Sequence, residues 1–318
     1  MHLLCVSLAV FILFLYFLKG VIFLGYLMLV LCTIMWSFVG VLVKLASHWV
    51  DSSIISFCRF FFGIIFLGGY LIIRDKKLGL NWSVKLIWIG AIAKSVNYIF
   101  ENLGVSMGYA YSQVLVYPAS ITFLVLITCF YFKEKITPST WVAIGMCLVG
   151  MCFVTWNGKP LSLLYKTSGL VSLLFVISAL GSSIHTLTQK LLIDKMESGK
   201  MNFSVFVLAS MITAVPVPFS SGFKGDFNMY SLIALIALGA ITGISFFIYA
   251  NALKTVPFLA AVIVSNSGVL FSLIWAKMLF NDPITMVAVF GTVIFLIGII
   301  LLNLPKGISL KKILQLKR

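Results

Sequence analysis

Long apolar runs separated by short polar turns cover almost the whole chain. Each run is about twenty residues long, enough to cross a hydrocarbon layer about 30 Å thick at about 1.5 Å of rise per residue. The apolar positions are continuous, not alternating, which predicts spanning helices instead of barrel strands. Ten spans are expected at about 22–46, 52–73, 83–104, 109–132, 138–156, 168–190, 203–219, 230–250, 258–280 and 285–304. Upstream, residues 2–18 form a further uncharged apolar run, followed by Lys19-Gly20 and without an Ala-x-Ala-like cleavage site. An extra helix, an interfacial segment and an upstream extension of the reading frame all fit that run.

One polar turn occurs twice. Phe132-Lys133-Glu134-Lys135-Ile136-Thr137, between spans four and five, returns as Phe280-Asn281-Asp282-Pro283-Ile284-Thr285 between spans nine and ten. The register holds over about 98–154 and 246–302, carrying Val114, Val116, Phe123, Leu148 and Gly150 onto Val262, Val264, Phe271, Leu296 and Gly298. Apolar runs and a polar turn in one common register indicate a repeated structural unit. Five spans per unit is an odd number, so the second copy enters the membrane upside down. That is an inverted repeat about an axis in the membrane plane, a transporter arrangement. The expected organisation is an N-terminal apolar segment (1–21), a first five-helix unit (22–156), a linker (157–167), a second unit (168–304) and a basic tail (305–318).

Composition removes the soluble alternatives. Hydrophobic residues make up 62% of the 318 and charged residues 10%, too apolar for a soluble fold to cover its surface. The chain is expected to be an all-α integral membrane protein. A net charge of +15 could point to nucleic acid, but the basic residues sit in turns without an aromatic-laced face, so no nucleic-acid partner is expected. With the first span starting in the cytoplasm, inside loops hold Arg74, Lys76, Lys77, Lys133, Lys135, Lys195, Lys200 and Lys254, and the tail adds Lys306, Lys311, Lys312, Lys317 and Arg318. Outside loops hold only Lys159, Lys166 and Lys224. This bias places both ends of the ten-span core in the cytoplasm. The six cysteines (Cys5, Cys32, Cys58, Cys129, Cys147, Cys152) lie within apolar runs and read as small core residues.

Polar groups within the spans carry the functional signal, because each must find a partner or line water. Lys94 stands near the middle of span three, where an ammonium costs at least about 2.5–3.5 kcal/mol. Asn97 and Glu101 follow on the same helical face, and Arg59 of span two lies at the level of Glu101. Arg59 and Glu101 fit an ion pair fastening two helices as well as a binding role. Span four carries Tyr111, Gln113, Tyr117-Pro118 and Thr122; Tyr117-Pro118 corresponds to Ser265-Asn266 of span nine. Paired interruptions at matching positions mark a transporter's site, although a simple kink and small-residue packing would also produce them. Span six shows Ser178, Ser182, His185 and Gln189, span one Thr33, Ser37, Gly40 and Lys44 beside Trp36, and span eight Thr242, Ser245 and Tyr249. His185 fits either a structural hydrogen bond or a proton carrier. The substrate-site candidates are Trp36, Lys94, Asn97, Tyr98, Glu101, Tyr117, His185, Tyr249 and Asn266. No phosphate-binding loop, His-Glu-x-x-His metal motif, nucleophile elbow or potassium filter occurs. Accordingly no cofactor and no enzymatic activity are expected.

Several ordered motifs support a family resemblance over about 22–304. They are Trp36 before a small residue, Arg59 within Phe57-Cys58-Arg59-Phe60, Pro118, the turn at 132–137 leading to Gly145 and Gly150, and Ala252-Leu253-Lys254. On these the chain resembles EamA-type members of the drug/metabolite transporter superfamily. The resemblance implies a central cavity lined by spans one, three, four, six, eight and nine, and alternating access without ATP. Span nine departs from the family pattern with Asn266 in place of a frequent proline, and its turn carries Asp282 in place of glutamate.

The expected function is secondary transport of a small polar metabolite across a prokaryotic cytoplasmic membrane, with a coupling proton as a further candidate partner. Lys94 suits a carboxylate and Glu101 an amine, which favours an amino acid or related zwitterion. Trp36, Tyr98, Tyr117 and Tyr249 would pack against the rest of the solute or face a cation. Exchange of phosphorylated or nucleotide-linked sugars is the alternative, and a membrane enzyme using His185 with Glu101 a more distant one. Import or export, and oligomeric state, are not written in the sequence.

Overall fold

Apolar segments that must satisfy their own backbone groups fold as helices, and the computed structural model has no strand among the residues it describes. Those residues are 21–107, 116–133, 137–156, 158, 169–224, 226–268, 270–271, 274–275, 278 and 285–303. The N-terminal apolar run, Tyr111, Gln113, the acidic residues Glu134 and Asp282, the linker apart from Gly158, and the basic tail lie outside them.

The elements in chain order are α1 (Val21–Ser37), α2 (Val39–Ala46), α3 (Ser52–Asp75), α4 (Lys85–Met107), α5 (Val116–Phe130), α6 (Pro138–Trp156), α7 (Gly169–Leu192), α8 (Ser198–Ala214), α9 (Met229–Ala252), α10 (Phe258–Asn266) and α11 (Met286–Asn303). The segments Phe23–Ala46, Ser52–Asp75, Ser198–Phe219 and Met229–Ala252 are long and apolar enough to cross a membrane. Local chemistry sets the ends. Asp51 caps α3 by accepting from the Ser53 N–H at 2.9 Å, and Asn228 caps α9 by accepting from Tyr230 and Ser231. Lys76 closes α3 in the left-handed conformation (φ 54°), its N–H donating to the Ile72 carbonyl.

Two boundaries depart from the sequence reading. Span seven starts at Ser198, not near 203, because Ser198 and Asn202 are buried and bonded to α9 at Asn251 and the Phe246 carbonyl. Span one is interrupted at Phe38, between α1 and α2. Phe38 stacks on Trp275 at 4.2 Å, and Trp275 Nε1 donates to Ser37 Oγ at 2.7 Å.

Packing relates the two halves. α4 packs on α7, as α9 packs on α1 and α2; α3 packs on α9, as α8 packs on α4; α5 packs on α7, as α10 packs on α1. α3 meets α8, α5 meets α10 and α6 meets α11, each helix facing its counterpart. The α6–α11 contact shows the relation at atomic detail. A Cβ on Gly150 would lie 2.6 Å from the Gly291 oxygen and the Phe295 nitrogen; one on Gly298 would lie 2.9 Å from the Ala143 oxygen and 3.0 Å from the Cys147 nitrogen. The register taking Gly150 onto Gly298 also takes Ala143 onto Gly291 and Cys147 onto Phe295. Small residues here let two backbones touch.

The ends are pinned by loop contacts. Val50 bridges Phe223, Asp51 N–H donates to the Gly222 carbonyl at 3.0 Å, and Ser221 Oγ donates to Asp51 Oδ2 at 2.9 Å. Burial alone would raise the Asp51 carboxyl, but hydrogen bonds from Ser53 and Ser221 and the Lys224 charge hold it below the usual carboxylate range. At the opposite ends of α3 and α8, Arg74 pairs with Glu197, and the Asn81 N–H donates to Ser204 Oγ at 3.0 Å.

Candidate functional site

α4 has the length of a spanning helix, 23 residues, but buries Lys94, Asn97, Glu101 and Asn102 along it. Lys94, Asn97 and Glu101 share a face and are joined. Lys94 Nζ donates to Asn97 Oδ1 at 2.7 Å, and Asn97 Nδ2 lies 3.5 Å from Glu101 Oε2. Asn97 Nδ2 also donates to Ser178 Oγ of α7 at 2.8 Å. Gly181 admits this contact, since a Cβ there would lie 2.6 Å from the Ala93 oxygen and 2.9 Å from the Asn97 nitrogen.

Arg59 of α3 and Glu101 form an ion pair at 3.8 Å, both buried. Arg59 Nη1 donates to Asn102 Oδ1 at 2.9 Å, and Asn102 Nδ2 donates to Ser56 Oγ at 2.8 Å. The guanidinium carbon lies 3.5 Å from the Tyr98 ring centroid, on a ring stacked with Phe60 at 4.7 Å. Lys94 Nζ sits 4.3 Å from the Tyr98 centroid and 4.0 Å from that of Phe246. Aromatic faces thus support both buried cations, worth about 2 kcal/mol or more each when desolvated. Arg59 and Glu101 neutralise one another, and Lys94 has no carboxylate within ion-pair distance among the described residues. The cluster therefore carries one surplus positive charge when Lys94 is protonated.

These groups open on a cavity of about 90 Å³ between the two halves. Of the residues expected from sequence, Trp36, Lys94, Asn97, Tyr98, Glu101, Tyr117, Tyr249 and Asn266 line it, together with Arg59. His185 does not. It is buried behind the wall, its Nδ1 3.2 Å from the Gly90 carbonyl and its ring edge-on to Phe246 at 5.5 Å. The span-six stripe splits: Ser182 and Thr186 face the cavity, while His185 and Gln189 turn toward other helices. In span one, Thr33 and Ser37 bond the backbone of Leu29 and Ile34 and stay off the lining, where Trp36 and Val39 stand instead. Trp36 is fixed by donating Nε1 to Ser245 Oγ at 2.6 Å and packs on Phe246 and Tyr249.

Sequence reasoning overlooked Ser120, Thr186 and Phe246 in the lining. The signal for the first two was spacing, Ser120 three residues after Tyr117 and Thr186 four after Ser182. Ser120 Oγ is buried without a partner among the described residues. The pairing of Tyr117-Pro118 with Ser265-Asn266 also reaches the cavity: Tyr117, Ser265 and Asn266 all line it. α10 ends at Asn266, and Ser267 breaks the helix with its N–H on the Val264 carbonyl. Pro118 falls in the first described turn of α5.

A polar, charged cavity between two similarly packed apolar halves is the setting of a solute carrier. The sequence matches the EamA-like transporter family over residues 23–156 and again over 169–304. This chain belongs to the EamA-like transporter family. With its long apolar helices, that makes it a multi-pass membrane protein of a transporter family. No curated protein matches the sequence. A solved structure titled only "Crystal structure of protein" aligns over 88% of this chain and 98% of its own, with TM-score 0.73 and 14% identity, which speaks to the fold alone. The EamA-like match spans both halves and leaves the solute to be argued from the cavity.

Proposed function

We propose that this EamA-like protein is a secondary transporter of a small polar metabolite bearing a carboxylate, best an amino acid or related zwitterion. It works by alternating access between two inverted five-helix repeats, ten spans in all, as units 22–156 and 168–304. The exchange of contacts between halves and the Gly150–Gly298 relation support that architecture. The distribution of basic residues supports a cytoplasmic membrane location with both core ends inside. Transport, not catalysis, is favoured because the one acid–base pair suggested by the sequence is separated: Glu101 lines the cavity and His185 does not.

The observation that carries the solute class is the charge arrangement around Lys94. Its ammonium is held by a neutral Asn97 and two aromatic rings, leaving donor capacity for an incoming carboxylate. Glu101, two turns along the same face, would exchange its pairing with Arg59 for an incoming amine. Trp36, Tyr117 and Tyr249 face the body of the solute. The sugar-phosphate alternative is weaker because Arg59 is already committed to Glu101 and Asn102, which leaves Lys94 as the one cation of the lining without a carboxylate partner among the described residues.

Thermal stabilisation of the purified protein against a metabolite panel tests this. A solute at a hundred times its Kd adds about 2.7 kcal/mol of apparent stability. Amino acids are expected to stabilise the wild type and not Lys94→Ala. Stabilisation by sugar phosphates or nucleotide sugars, with none by amino acids or amines, overturns the proposal.

A further inference from the structure

Behind the cavity wall, α7 carries a second polar site. His185 and Gln189 are one turn apart on the same face, and each is 1% exposed. A carbonyl oxygen can only accept, so with Nδ1 3.2 Å from the Gly90 carbonyl, Nδ1 carries the hydrogen and Nε2 presents a bare lone pair. Among the described residues Nε2 has no partner, and neither has Gln189 Oε1, while Gln189 Nε2 donates to Asn202 Oδ1 at 2.8 Å. Two buried acceptors one helical turn apart on α7 lack a donor among the described residues. A water molecule, or a proton on Nε2, supplies the missing hydrogen.

The polar contacts continue away from the cavity. Asn202 Nδ2 donates to the Ser198 carbonyl at 3.0 Å, and Ser198 Oγ donates to Asn251 Oδ1 at 2.8 Å, at the start of α8 beside exposed Glu197 and Lys200. Toward the cavity, Phe246 stands between: His185 meets its ring at 5.5 Å, and Lys94 Nζ lies 4.0 Å from its centroid. α8 presents Asn202 and Phe206 and α9 presents Phe246, while α5 meets α7 elsewhere, through the Ser120 carbonyl at Ser183. Lys94 of α4 is thus the charged group that faces His185 among the described residues.

We propose that His185 and Gln189 form a proton-binding site, reached by water from the α8 end, whose occupancy rises with that of the cavity. A proton from water adds to the Nε2 lone pair, giving an imidazolium that donates to the Gly90 carbonyl and toward Gln189 Oε1; no electron or other atom moves. The new charge repels the Lys94 ammonium and attracts a carboxylate bound to it. A carboxylate on Lys94 offsets the repulsion, so solute and proton favour one another's binding by the same factor. This rests on the cavity being a carboxylate site and adds that the solute travels with a proton.

Solid-state NMR of ¹⁵N-histidine-labelled protein in lipid, with His185 kept as the sole histidine, tests the site without any solute. The Nδ1–H tautomer is expected, with imidazolium appearing as the pH falls. An Nε2–H tautomer, or a ring that stays neutral throughout, overturns it. Coupling is read in proteoliposomes with a mixture of radiolabelled proteinogenic amino acids. One proton per solute gives about tenfold accumulation per unit of inward proton gradient, whereas His185→Gln is expected to exchange solute without gradient-driven accumulation. Wild-type exchange indifferent to the gradient, or a His185→Gln variant accumulating like wild type, overturns the coupling while leaving the carboxylate reading intact. Absence of any amino-acid flux in the wild type removes the carboxylate reading and the coupling together, and the NMR result alone then decides the proton site.

Discussion

α4 and α9 occupy corresponding places in the two halves, and the cavity-lining face of α4 can be laid beside its counterpart on α9. The register that takes Tyr98 onto Phe246 takes Lys94 onto Thr242, Asn97 onto Ser245 and Glu101 onto Tyr249. The two quartets meet: the Tyr98 hydroxyl lies 3.1 Å from Thr242 Oγ1, Phe246 faces the Lys94 ammonium, and Ser245 holds Trp36. Yet α4 brings an ammonium, an amide and a carboxylate to the cavity, and α9 brings the rings of Phe246 and Tyr249, with Thr242 and Ser245 off the lining. A repeated scaffold alone would give two equal walls, whereas a zwitterion needs a charged wall and a neutral one. What the halves share builds the frame; on the proposed reading, what they do not share selects the solute.

The largest expected effect removes the charge that separates the walls. Lys94→Ala should lower solute affinity by about 10- to 150-fold, the range of about 1.5–3 kcal/mol for a lost hydrogen bond to a charged group. Ligand titration by thermal shift, on protein that still elutes as a folded species, measures it. Moving the ammonium across, with Lys94→Thr and Thr242→Lys together, should not restore binding. Thr242 is fully buried, packs against Gly63 and is off the cavity lining. Rescue by the swap would mean that the two walls are equivalent in access as well as in register.

The next pair asks whether the frame is as even as its contacts. Gly150→Leu and Gly298→Leu each drive a side chain into the backbone of the opposing helix, at Gly291–Phe295 and Ala143–Cys147. Overpacking of this kind costs about 1–3 kcal/mol. Both variants should lose several degrees of thermal midpoint, by similar amounts. One silent variant would break the equivalence of α6 and α11.

The frame was legible because apolar runs of spanning length leave the backbone one way to satisfy itself. Less legible were features made by contacts between helices. The interruption at Phe38 has no proline beside it and depends on Trp275, far away in sequence. Lys94, Asn97 and Glu101 could be read as one face because helical periodicity fixes their common direction. The same reasoning grouped His185 with Ser182, but Thr186, four residues after Ser182, takes the cavity-facing place. Phe246 was overlooked because a phenylalanine in an apolar span looks like any other; its role depends on Lys94 reaching it from α4.

The smallest expected effect separates the two rings that hold Lys94. By distance they are close to equal, 4.3 Å for Tyr98 and 4.0 Å for Phe246. Their surroundings differ. Tyr98 also carries the Arg59 guanidinium at 3.5 Å and bonds Thr242, so Tyr98→Leu loosens both cations and removes a hydrogen bond between the two halves. Phe246→Leu removes one face from Lys94 and leaves Arg59, Glu101 and Asn102 in place. It should weaken solute binding by about 2- to 5-fold, or about 0.5–1 kcal/mol, less than the full contact is worth because Tyr98 and Asn97 still hold Lys94. Tyr98→Leu should cost more, and Tyr98→Phe, which keeps the ring, should fall between wild type and Tyr98→Leu. Equal losses for Tyr98→Leu and Phe246→Leu in the same titration would show that both rings serve Lys94 alone, and that the charged wall is not tied together through Tyr98.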